Sequence, residues 1–296
     1  MTAKPSLRRI TSTLAPILLA LTSPMGLAAL NVADTPLSFA SGVTPNIIMA
    51  IDDSGSMDAE LLMPTNDGAL WWHTGDKTFY GRNRNDTPNS GVLNFNKVGG
   101  ADGTWKKYVY LFPNGSGTGK RVYEDADNDH YAVPPTAKFA FARSPDYNKA
   151  YFNPEDLYVP WPSVGSTIFS NISATSAPSD PTRGSYNFNL TKKIPANTEN
   201  HYKFRFQPGM IVTGTTTVSS AESKAVEYYP ATFYLTEALP SSYGFTGTTL
   251  TGYAPNGTTT LYGYEIKSSN FSTTAKYDAM MQNFANWFSY YRKRHL

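Results

Sequence analysis

The sequence predicts an α/β chain: the first strand and first helix of a doubly wound sheet, interrupted by a large β-rich insertion. Three observations carry that reading. Residues 47–51, Ile-Ile-Met-Ala-Ile, are a continuous apolar run bounded by turn-forming residues. Such a run suits a strand buried on both faces, as in a parallel sheet covered by helices. From residue 58 to 270, turn signals alternate with short aromatic or β-branched runs, which is the pattern of antiparallel strands. From Thr273 onward the apolar period changes to three and four. That is the spacing of an amphipathic helix.

Taken in order, residues 1–28 have the form of a secretory signal. Lys4, Arg8 and Arg9 precede an apolar centre at residues 14–21, and Gly26-Leu27-Ala28 offers small residues for cleavage after Ala28. The apolar centre is too short to span ~30 Å of hydrocarbon. An exported, non-transmembrane protein is expected. Residues 29–57 are a leader, with a short edge strand at residues 36–39, followed by the buried strand and its loop. Residues 58–270 form the inserted lobe. Its turns are marked by Asn66-Asp67-Gly68, Asn114-Gly115 and Pro255-Asn256-Gly257. Its short aromatic or β-branched runs include residues 107–112, 201–206 and 231–235, the last two alternating as half-buried antiparallel strands do, and residues 170–183 are a Ser/Pro-rich loop.

Residues 271–296 hold the helix. Tyr277, Met280, Met281, Phe284, Trp287, Phe288 and Tyr291 make its apolar stripe, which is expected to pack on residues 47–51. Thr273 or Thr274 caps the start, and Asp278 lies near the positive end. Arg292, Lys293, Arg294 and His295 complement the negative end. With one sheet strand to cover this stripe, the segment should be marginally stable, with Trp287 and Phe288 partly exposed or covered by the lobe.

Composition narrows the function. Charged residues are 16% and aromatics 14%, with 20 Tyr, a balance suited to pleated sheets exposed outside the cytosol. The net charge is +2, and basic residues cluster only at 292–294, which disfavours nucleic-acid binding. The chain has no cysteine, which excludes disulfides, thiolate zinc sites and thiol nucleophiles.

One motif carries chemistry. Asp52-x-Ser54-x-Ser56 follows the buried strand directly. In open parallel sheets, ligands gather beyond the carboxyl ends of the strands. There one carboxylate and two hydroxyls can turn toward a common point, with Gly55 permitting the tight bend. These hard oxygen donors suit Mg2+, Mn2+ or Ca2+ rather than zinc.

Residues 45–57 resemble the first strand and first loop of the metal-ion-dependent adhesion site in von Willebrand A domains. The resemblance implies direct coordination by Ser54 and Ser56, with Asp52 acting through water or hydrogen bonds. An acidic group from the partner completes the shell. Further stretches resemble PilY-type proteins of the type IV pilus tip: Arg143-Ser144-Pro145-Asp146-Tyr147-Asn148, Tyr151-Phe152-Asn153-Pro154, Tyr158-Val159-Pro160-Trp161, Glu227-Tyr228-Tyr229-Pro230, Tyr264-Glu265-Ile266, and residues 281–292. That family continues through the rest of the A domain into a β-propeller. The threonine and second aspartate of the metal site would then come from loops beyond Leu296, so weak or absent metal binding is expected in this chain.

The resemblance implies an adhesin and pilus biogenesis factor of the periplasm, outer membrane and pilus tip. Its partners would be pilins or minor pilins and host or abiotic surfaces. The alternative is a β-rich extracellular interaction or structural protein without a functional metal site. A hydrolase using Ser54 or Ser56 is disfavoured, because no nucleophile elbow accompanies them.

Other motifs fail on their own requirements. Residues 114–121 lack the first glycine and the metal-binding hydroxyl of a phosphate loop. Asp125-x-Asp127-x-Asp129 lacks the turn glycine and the closing glutamate of a calcium loop. His73, His130, His201 and His295 have no metal or triad spacing. Trp71-Trp72 is expected in the lobe core rather than on a binding patch.

Overall fold

In a computed structural model the chain divides into two units, Met1–Ile51 and Asp52–Leu296. The structure describes residues 55–65, 67–81, 105–113, 130–182, 187–194 and 203–294, all in the second unit. The expected signal segment, the strands at residues 36–39 and 47–51, and the motifs at 114–121 and 125–129 lie outside the described residues. So do Asp52 and Ser54.

The described part is mixed but mostly β: several small sheets and one C-terminal helix. The largest sheet has four strands, β1 (Leu70–His73), β2 (Thr78–Tyr80), β3 (Trp105–Tyr110) and β4 (His130–Ala132), in the order β2-β1-β3-β4. β1 pairs antiparallel with β2 and β3, while β3 and β4 run parallel. The period of two in β1 explains its two tryptophans. Trp72 faces inward at 2% exposure, whereas Trp71 is half-buried, its indole N–H donating to Asp67 at 3.1 Å.

The remaining strands form short antiparallel pairings. β5 (Ala177–Pro178), inside the segment expected to be a loop, pairs with β6 (Asn187–Phe188) beyond it. β7 (Lys203–Phe206) passes through the hairpin of β8 (Ile211–Thr213) and β9 (Thr216–Thr217) to pair with β10 (Glu222–Ala225). β7 alternates half-buried Lys203 and Arg205 with fully buried Phe204 and Phe206, as its sequence implies. β11 (Thr232–Leu235), β12 (Leu250–Tyr253) and β13 (Thr260–Glu265) form a sheet with β13 at its centre. The turn before β13 has Gly257 at φ +73°, where a glycine is favoured.

A short 3-10 segment, Ala137–Arg143, lies between these sheets. Phe139 meets Trp72 and Phe79 on one side, at ring distances of 6.0 and 5.1 Å. Ala140 approaches Gly252 of β12 on the other. A Cβ on Gly252 would sit 2.2 Å from the Ala140 Cβ and 2.7 Å from the Tyr234 ring. The bare glycine therefore sets how closely segment and sheet approach.

The helix α1 runs Thr274–Tyr290. Thr273 caps it, its hydroxyl accepting from the Lys276 N–H at 3.3 Å. Asp278 falls beyond the first turn, so it is not placed against the positive end as the sequence suggested. The first half of α1 is amphipathic; from Phe284 to Tyr290 every side chain is buried. Trp287 and Phe288 are 1% and 0% exposed. Of the two outcomes expected for them, covering by the lobe is the one found. Phe288 packs on Phe112 and Phe188 at ring distances of 5.2 and 5.3 Å, and Trp287 on Tyr151 at 4.7 Å. Each of these rings would add about 1.5–3 kcal/mol of burial energy. No described helix is long and apolar enough to cross a membrane.

Candidate functional site

Of the three candidate metal-binding residues, only Ser56 falls within the described backbone. It lies in a 3-10 turn, Gly55–Asp58, and its side chain is not among those described. What the structure does describe is the segment leaving this loop, residues 57–63, which is held from three directions.

From within the lobe, Glu60 N donates to Val109 O at 2.8 Å, which lays the segment alongside β3. Asn148, itself fully buried, holds it from a second side. Its Oδ1 accepts from Leu62 N at 2.7 Å, and its Nδ2 donates to Glu60 O at 3.1 Å and Ala142 O at 3.0 Å. Both faces of one amide are thus used on a stretch more than eighty residues earlier.

The third contact comes from the end of α1. Arg292 Nε donates to Glu60 Oε1 at 2.9 Å, with the two side chains 0% and 2% exposed. Glu60 Oε2 accepts from Leu111 N and Phe112 N at 2.7 and 3.0 Å. The guanidinium also donates to Phe288 O at 2.7 Å and Ser179 O at 2.8 Å, and lies 3.9 Å over the Phe288 ring. A buried ion pair is tolerable only when its remaining hydrogen-bonding capacity is met in this way. Lys293 Nζ lies 3.1 Å from both Asp58 and Asp180, and Arg294 N donates to Ala59 O at 3.0 Å. Burial would raise the Asp180 pKa, but hydrogen bonds from the Thr182 side chain and backbone, with the Lys293 charge, outweigh it and hold it at about 2.

The basic run at 292–294 is therefore no solvated cluster. Arg292 does meet a carbonyl at the helix end as expected, but its larger partner is Glu60, which the sequence reading did not single out. No local signal marks Glu60. A lone carboxylate between Ala59 and Leu61 is the one trace it leaves.

A second feature concerns residues 154–169, whose motif Tyr158-Val159-Pro160-Trp161 was noted in the sequence. Asn283 and Asn286 of α1 stitch it down. Asn283 accepts from Tyr158 N and donates to Asp156 O, both at 2.7 Å. Asn286 accepts from Ile172 N at 3.0 Å and donates to Tyr158 O at 2.9 Å. Tyr290 and Tyr291 hydroxyls donate to Ser170 O and Val159 O at 2.7 and 2.8 Å. Yet this arm exposes four apolar side chains: Leu157 at 81%, Val164 at 71%, Ile168 at 80% and Val159 at 50%. Large apolar side chains left exposed on firmly anchored backbone are candidates for an interaction surface where they adjoin.

Arg143 occupies a third position, fully buried beneath a cleft of about 290 Å³ that Tyr228, Tyr229 and Tyr234 help to line. Its guanidinium donates to Leu111 O at 2.8 Å and Val133 O at 3.0 Å. Burial lowers its pKa, opposed by the neighbouring phenols and Glu60. Among the described residues no group of three His, Asp or Glu side chains could hold a metal. Comparison of the chain with protein-family models, with curated proteins and with solved structures found no match.

Proposed function

We propose that this chain is part of an exported, pilus-associated binding protein that, in the complete domain, engages its partner through a divalent ion at Asp52, Ser54 and Ser56. In this reading residues 47–51 and α1 are the first strand and first helix of a von Willebrand A-like doubly wound sheet. The β-rich lobe is inserted between them. Its role is adhesion and pilus biogenesis rather than catalysis.

The observation that supports it is the clamp on residues 57–63. A metal loop binds well only if its donors are pre-positioned, and the exit of this loop is fixed by Asn148, Arg292, Lys293 and Arg294. The donor set suits the ion as well: one carboxylate and two hydroxyls are the hard oxygens that Mg2+ or Mn2+ prefers. Asp58 already pairs with Lys293. The bound ion would supply a Lewis-acidic position for a carboxylate of the partner, a pilin or a surface ligand.

A second reading, an extracellular interaction protein with no working metal site, is favoured by the apolar arm at Leu157, Val164 and Ile168. One experiment separates the two. Purified type IV pili are captured on an immobilised protein that carries the complete domain, with Mn2+, with EDTA, and with the Ser54→Ala/Ser56→Ala variant. The metal reading expects capture that needs Mn2+ and is lost in the variant at unchanged melting temperature. Capture indifferent to both EDTA and the serines would overturn it and leave the arm as the binding surface.

A further inference from the structure

Between the four-stranded sheet and the β8–β9 hairpin lies a pit of about 180 Å³. Its depth is aromatic. Trp72, Phe79, Phe139 and Phe141 line it, all at most 6% exposed and packed edge to face, with Trp72 and Phe79 5.0 Å apart. Its charged lining residues are Lys77 and Lys138, and among the described residues no carboxylate lines it.

Three details set this pit apart from an ordinary packing gap. First, the Trp72 indole N–H is buried and has no hydrogen-bond partner, although buried donors are nearly always satisfied. Second, Lys77 is the one described non-glycine residue at positive φ, +54°, a turn position that glycine fills more easily. Its stem lies across Gly209, where a Cβ would come within 2.5 Å of it. The bare backbone of Gly209 leaves room for the Lys77 stem, which a side chain there would push away. Third, Lys138 is held in place by a bond to Gly257 O at 2.9 Å and by the Tyr253 ring at 4.2 Å, neither of which neutralises its charge.

We infer that this pit binds an anionic group carried on a single ring or similarly sized apolar body. The apolar body enters among the rings and the anion lies between Lys77 and Lys138. The size agrees, since a cavity of about 150 Å³ takes up one benzene ring. An apolar pocket with a few convergent polar groups is the ordinary form of a small-ligand site. The same chemistry could arrive as a free aromatic acid or as the C-terminal phenylalanine of a polypeptide.

The test follows the indole N–H resonances of the full chain, labelled with 15N-tryptophan, during titration at low salt. The probes are phenylacetate, phenylacetamide, and an acetylated tripeptide ending in phenylalanine as its acid and as its amide. The Trp72 signal is identified by its loss in Trp72→Phe or, should that variant not fold, by its proximity to the Phe79 and Phe139 ring protons. One or both acids should move the Trp72 signal to saturation while the amides do not. The surface variant Lys77→Ala/Lys138→Ala should bind about tenfold more weakly. Tighter binding of the tripeptide acid assigns the site to polypeptide C-termini, and tighter binding of phenylacetate to small acids. The inference is overturned if neither acid moves the Trp72 signal, if the amides bind as well as the acids, or if the double lysine variant binds unchanged.

Discussion

Arg292 reaches back across 232 residues to place its Nε 2.9 Å from Glu60, and both side chains are sealed from solvent. This pair joins the end of α1 to the segment that leaves the candidate metal loop. Removing one partner strands the other as a buried charge, a loss of about 3–5 kcal/mol. Arg292→Met should therefore lower the urea midpoint by that equivalent. The double variant Glu60→Gln/Arg292→Met should be more stable than Arg292→Met alone, because no unpaired charge remains. Additive losses in that cycle would mean the two groups are not coupled.

Asn286 makes a different kind of prediction, about order as well as stability. Its amide serves Ile172 N, Tyr158 O and Asn171 Oδ1. Asn286→Ala leaves those groups without partners, at about 1–3 kcal/mol. The arm should then loosen locally before the chain unfolds. Limited proteolysis is expected to cut the variant within residues 157–169 under conditions that leave the parent protein intact.

Asp180 sets an acid limit. Its pKa is held at about 2 against an ordinary 3.8. A depressed carboxylate contributes fully above its unfolded pKa and loses that contribution as pH falls through the folded value. About 2 kcal/mol should therefore disappear between roughly pH 5 and pH 1. Denaturant unfolding of wild type and Asp180→Asn across that window should give curves that differ at pH 6 and converge near pH 2, to within about 0.5 kcal/mol.

Gly252 tests the contact between the 3-10 segment and the sheet of β11 to β13. Gly252→Ala pushes a methyl to 2.2 Å from Ala140 and 2.7 Å from the Tyr234 ring. Overpacking of this kind costs about 1–3 kcal/mol. Adding Ala140→Gly removes the nearer clash and should recover part of the loss in thermal melts. If it recovers none, the Tyr234 ring, rather than Ala140, limits the approach.

Much of the local structure was legible from residue spacing. β7 and β11 fall within the runs at residues 201–206 and 231–235, and the run at residues 107–112 became most of β3. Thr273 caps α1 where the period changes, and Trp72 lies in the core. These follow from the short-range geometry of strands and helices, which repeats in the sequence itself. The parallel pairing of β3 with β4 had no such signal, because it joins segments that no tight turn connects.

The candidate site divides the same way. Asp52, Ser54 and Ser56 could be read as a donor set from residue type and spacing alone. Nothing local announced that Asn148 and Arg292 would hold the residues just beyond them, or that Asn283 and Asn286 would turn the polar side of α1 into a seam for the arm. By itself the sequence determined where strands, turns and helix could form, because dihedral preference and apolar period act over a few residues. Only the tertiary structure decided which charges and amides would meet. A buried polar group is satisfied by whatever lies within 3 Å in space, and distance along the chain carries no record of that.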